Sequence, residues 1–157
     1  MQPRFDYRRY APEVLKAMAE LEKYIAGCGL EHRLIHLLKM RASQINGCAY
    51  CIDMHSIDAR AVGETEQRLY ALDAWRETPF FTDREQAALG WIEAITLVSE
   101  THVPDEVFEE VKKFFSEKEV MDLTLVGTLI NMWNRLTISA RALPGHYHPA
   151  KTSAATS

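Results

Sequence analysis

Clusters of positive charge are missing from this sequence. Its formal net charge is −4 with a pI near 5.9, and its lysines and arginines are scattered, so a phosphate backbone finds no electrostatic footprint. Nucleic acid is not an expected partner. A long uninterrupted apolar run is missing too. The most apolar stretch, residues 120–138, contains Asp122, Gly127, Asn131, Asn134 and Arg135, which makes it too polar for a bilayer core. It reads as a buried central helix, and no membrane partner is expected. The opening MQPRFDYRRY has no apolar segment behind its basic residues and does not read as a secretory signal. The expected setting is the cytoplasm. Also absent are internal repeats, low-complexity blocks and runs of period-two alternation, the mark of a half-buried strand. No Gly-rich fingerprint for a flavin or nicotinamide occurs, and no cofactor is expected.

What is present has an ordinary globular balance: 157 residues, 47% hydrophobic and 25% charged. That suffices for one domain burying about two-thirds of its unfolded surface. An all-α domain of six or seven helices is expected over residues 1–148, followed by a loose tail over 149–157. Pro12 suits the first turn of a helix with Val14, Met18, Leu21 and Ile25 at helical spacing, and Gly27 and Gly29 can end it. A second helix covers about 31–45, with Leu34, Leu38, Ala42 and Ile45 on one face. The NG at 46 and 47 breaks it, and CAYCIDMHSIDARAVG forms the next helix, closed by Gly63. Leu69, Leu72 and Trp75 mark a short helix from about 66 to 75. Thr82 with Glu85, and Ser116 with Glu119, have capping-box spacing. The first pair opens a helix through Trp91, Ile95 and Val98; the second opens a long apolar helix to Leu143. Between them, Pro104 opens a helix through Val107, Val111 and Phe115.

Two of only three cysteines lie together in NGCAYCIDMH, residues 46–55. On a helix, Cys48, Cys51 and His55 share one face, about a turn apart. Cys48 falls at the N-cap or first turn, where free N–H groups and the helix dipole favour a thiolate. His55 is placed to accept or relay a proton. A thiolate beside a second thiol can attack a peroxide oxygen, become a sulfenic acid and condense with its neighbour into a disulfide. Recycling then requires an external dithiol or reductase protein.

Other readings of the same residues stand beside this one. A structural zinc site takes four ligands, of which Cys48, Cys51 and His55 supply three and His36 or another histidine the fourth. Two small buried core cysteines are the plainest reading. Haem attachment requires a histidine directly after the second cysteine, where Ile52 stands, and a thioredoxin-like pair requires a preceding strand; neither fits. Cys28 reads as a packing residue. Trp133, Asn134 and Arg135 read as lining an active-site pocket or bridging subunits, the interface being the plainer reading, and His146 and His148 as solvated tail residues.

The stretch HLLKMRASQINGCAYCIDMHSIDARAVG, residues 36–63, resembles the core of the AhpD-like alkylhydroperoxidases within the carboxymuconolactone decarboxylase superfamily. FFTDREQAALGWIEAIT and LINMWNRLTISAR resemble later helices of its small members, so the likeness spans about residues 12–143. It implies an all-helical protomer, assembled as a homo-oligomer (trimer or hexamer), with thiol-dependent peroxidase activity on hydrogen peroxide or small organic hydroperoxides. It implies Cys51 as the cysteine oxidised to sulfenic acid, Cys48 as the resolving thiol and His55 as the proton relay. The family's relay glutamate falls on His36. A histidine suits proton transfer near neutrality; read without the resemblance, His36 is a polar residue on an exposed helix face. The superfamily's lactone decarboxylation does not depend on a CxxC pair, and the pair argues against that activity here.

Overall fold

Both capping boxes form where their spacing places them. The Thr82 hydroxyl accepts from the Glu85 N–H at 3.2 Å, and the Glu85 carboxylate accepts from the Thr82 N–H at 2.8 Å. Ser116 and Glu119 repeat the exchange. Each box satisfies orphan donors at a helix start, and so fixes where two of the helices begin.

The computed structural model describes residues 1–149. Its elements are α1 (Tyr7–Tyr10), α2 (Pro12–Ala26), α3 (His32–Asn46), α4 (Ala49–Ala61), α5 (Glu66–Ala71), a 3₁₀ turn (Leu72–Glu77), α6 (Asp83–Thr96), α7 (Val98–Thr101), α8 (Asp105–Lys112) and α9 (Glu117–Ala140). Among the described residues there is no strand. The expected helices are present, with two single turns added, α1 ahead of the first and α7 between α6 and α8. Apart from Pro149, the expected tail over 149–157 lies outside the described residues.

Several boundaries differ from expectation, for local reasons. The last helix stops at Ala140 rather than Leu143 because Arg141 turns left-handed at φ 54°. The fourth segment kinks at Ala74 and continues as the 3₁₀ turn. Val98 falls in its own short turn after α6 ends at Thr96.

The core lies where α3 packs on α4, α6 and α9. Leu37, Leu38 and Ala42 of α3 are sealed against Leu89 and Ile92 of α6 and Leu123, Val126 and Ile130 of α9. On the other side of α9, α2 lies with a face shifted from the one its apolar spacing suggests. Val14 and Leu21 are about half exposed, while Leu15, Met18 and Ile25 face the core. On the same helix Glu22 lines a cavity. No helix among the described residues is long and apolar enough to cross a membrane.

Candidate active site

The cysteine pair is positioned by the corner between α3 and α4. Gly47 adopts φ 67°, the left-handed cap that closes α3, a conformation that glycine reaches without strain. Cys48 follows as the N-cap of α4, with extended backbone, and its Sγ accepts the Cys51 N–H at 3.3 Å. The corner is tied to α9 by Asn46, whose amide donates to the side-chain oxygens of Asn131 (3.0 Å) and Asn134 (2.8 Å). Asn134 in turn donates to Ser43 on α3. This polar clamp is sealed inside the chain, Asn134 being 0% exposed.

Cys48 and Cys51 have Cα atoms 5.3 Å apart and sulfurs at disulfide distance. Both sulfurs also meet the Thr137 hydroxyl, at 3.1 and 3.3 Å. That hydroxyl donates to the Trp133 carbonyl at 2.8 Å; when a thiolate forms, it is close enough to donate to sulfur instead. The two sulfurs open on different sides. Cys51 lines a cavity of about 440 Å³ together with His36, His55, Met54, Trp133 and Tyr147. Cys48 borders a separate hollow of about 300 Å³ beside Arg4, Gly47 and Arg141. The meeting of Cys48 with Cys51 that their spacing suggests is seen, and His55 joins Cys51 at the wall of the larger of these two hollows.

His55 stands at the cavity wall, 3% exposed, and among the described residues neither of its ring nitrogens has a hydrogen-bond partner. Burial is the main reason its pKa lies well below the ordinary imidazole range, with Lys39 and His36 adding repulsion. It is neutral at pH 7 and available as a base. His36 is half-buried rather than exposed, its ring centroid 5.9 Å from that of His55, and burial lowers its pKa as well. Asp58 approaches His55 Nδ1 to 4.0 Å, too far for a hydrogen bond, and accepts instead from the Tyr147 hydroxyl at 2.8 Å. Burial and that carboxylate raise the Tyr147 pKa, keeping the phenol protonated.

The remaining charge at the cavity is balanced. Lys39, 5% exposed, pairs with Glu22 on α2, and Glu22 also accepts from the Trp133 indole at 3.0 Å. Trp133 lines the cavity and Asn134 belongs to the clamp behind it, one of the two roles their place on the last helix suggested; Arg135 is exposed and donates within α9 to Asn131. Cys28 packs at the edge of the core, as expected. His146 and His148 are exposed, but the segment carrying them is anchored by Tyr147 and by the Gly145 N–H, which donates to Asp53 at 2.8 Å.

The sequence profile of the carboxymuconolactone decarboxylase family matches residues 12–94, a span that includes the cysteine corner. The chain belongs to this family, within its AhpD-like branch. Uncharacterized protein YdfG of Bacillus subtilis (strain 168) is 45% identical over 139 residues, 88% of this chain and 95% of its own length. A solved structure of a protein of unknown function from Agrobacterium tumefaciens, proposed as an antioxidant-defence AhpD, superposes with a TM-score of 0.89. It is 42% identical, covering 93% of this chain and 100% of its own. The debrominase Bmp8 shares the fold at a TM-score of 0.75 and 22% identity, covering 86% of this chain and 73% of its own.

Thr137, Tyr147 and Asp58 are site residues that periodicity does not single out. Thr137 is one of several hydroxyls on α9, beside Thr124, Thr128 and Ser139, and nothing in the sequence sets it apart. Asp58 lies one turn beyond His55 on α4, and Tyr147 is joined to it only by tertiary packing.

Proposed function

We propose that this chain is a thiol-dependent peroxidase reducing hydrogen peroxide or small organic hydroperoxides. One observation supports this most directly: a CxxC pair at disulfide distance, of which Cys51 alone lines the larger cavity, beside a buried, unpartnered and neutral histidine. His55 accepts the Cys51 proton, and His36 is placed to pass it onward. The Cys51 thiolate attacks the outer peroxide oxygen; the O–O bond breaks, the alcohol leaves with the proton, and Cys51 becomes a sulfenic acid. The Cys48 thiol then attacks that sulfur; the S–O bond breaks, the hydroxide leaves as water with the Cys48 proton, and the disulfide forms. An external dithiol or reductase protein returns both thiols. In this reading the protein works as a trimer or hexamer in the cytoplasm, and sedimentation measures the assembly.

Peroxide consumption supported by a small dithiol tests the activity. The parent protein turns over, and Cys51→Ser does not. Equal consumption by the two proteins overturns the assignment.

A further inference from the structure

We propose that His36, His55 and Asp58 form a binding site for a divalent first-row transition-metal ion. Each residue offers one ligand atom, and the three atoms lie within 4.8 Å of one another. Ligand atoms on a shared zinc ion stand roughly 3.3–3.6 Å apart when each bond is ~2.0–2.2 Å. Small side-chain rotations therefore bring the set into register. Two imidazoles and a carboxylate suit zinc, iron or cobalt better than magnesium or calcium, which prefer oxygen alone.

An independent observation points to a ligand here. Both ring nitrogens of His55 and Nδ1 of His36 are buried with no partner among the described residues, whereas buried polar atoms are nearly always satisfied. Asp58 complements them. The Tyr147 hydroxyl donates to its Oδ1, leaving Oδ2 turned toward His55; such an outer hydrogen bond orients a ligating carboxylate. Lys39 is already neutralised by Glu22, so the Asp58 charge is available to a cation. Three protein ligands leave a coordination position open to the cavity, the pattern of metal sites that hold water or substrate.

This site differs from a zinc clamp built on the thiols. It needs neither Cys48 nor Cys51, and it persists when they are joined. An ion bound to His55 also takes the lone pair that deprotonates Cys51, so the metal-loaded and thiol-active forms exclude one another.

The test uses the full chain with its disulfide intact, where no thiolate of the pair can ligate. Zinc is titrated calorimetrically, and the site is probed with cobalt. The structure predicts one ion per chain and a cobalt spectrum with nitrogen and oxygen ligation but no sulfur charge-transfer band. His36→Ala and Asp58→Asn each weaken zinc binding at least tenfold, and His102→Ala, at a residue exposed at the end of α7 and outside the cavity, leaves it unchanged. Thermal melting of both variants shows whether they remain folded; the zinc-induced rise in Tm is smaller in each of them than in the parent. Absence of stoichiometric binding, or undiminished binding in both folded variants, overturns the proposal. Because neither arm involves peroxide or the thiols of the Cys48–Cys51 pair, failure here leaves the peroxidase reading to its own test.

Discussion

Thr137 is one hydroxyl that touches both sulfurs, and its removal isolates what that contact contributes. A hydrogen bond to a charged group contributes about 1.5–3 kcal/mol. Thr137→Val is therefore expected to slow peroxide-driven thiol loss by roughly ten- to a hundredfold, with both thiols still consumed, as measured by stopped-flow thiol counting. His55→Asn removes the base and lowers the same rate by about 10²–10⁴-fold, the usual contribution of general-base catalysis. At this scale the sequence was most legible where chemistry is local. Cys48, Cys51 and His55 fall within eight residues of one another, and the helix start at Cys48 was readable from the NG break. Thr137 and Tyr147 were not readable, because each reaches the site across the fold, 86 residues from Cys51 and 89 from Asp58.

Two glycines set the contrast at the scale of the helices. Gly90 in α6 has open space where a Cβ would stand, whereas a Cβ at Gly127 in α9 would meet Ile92 Cδ1 at 2.9 Å and Ile95 Cγ2 at 3.2 Å. The second glycine is what lets α9 approach α6. Gly90→Ala is expected to stabilise the protein by about 0.5–1 kcal/mol through helix propensity and unfolded-state entropy. In Gly127→Ala the same gain is offset by overpacking, typically ~1–3 kcal/mol, so urea unfolding should show no gain or a net loss. Helix starts were legible at Thr82 and Ser116 because a capping box is a short-range pattern. Helix faces were less so. Val14 and Leu21 lie at the surface while Glu22 lines a cavity, and a polar residue lining a cavity looks in sequence like any solvated one.

Across the whole molecule, Glu93 joins three elements: it accepts from Arg41 of α3, and from Trp75 and Arg76 of the 3₁₀ turn. Burial alone raises its pKa, but these hydrogen bonds outweigh burial and hold it below the usual carboxylate range. Its stabilisation is therefore complete above the unfolded value of about 4.3 and is lost as pH falls through the lower folded value. Tm should drop below about pH 4. Glu93→Gln should lower stability at neutral pH by about 1–3 kcal/mol and flatten that acid slope, as scanning calorimetry would show. This cross-link, like the closing of the cavity by Tyr7 and Arg8 at one end of the chain and Tyr147 at the other, depends on tertiary placement. The all-helical class and the order of elements follow from local periodicity; which distant side chains meet does not.

The account stands most directly on the division of labour between Cys51 and Cys48. Metal-free, fully reduced protein would be mixed with cumene hydroperoxide and its free thiols counted in a single turnover. The parent should lose two of its three thiols, Cys48→Ser should lose one and hold a trappable sulfenic acid on Cys51, and Cys51→Ser should lose none. Thiol loss in Cys51→Ser at the parental rate would contradict the assignment.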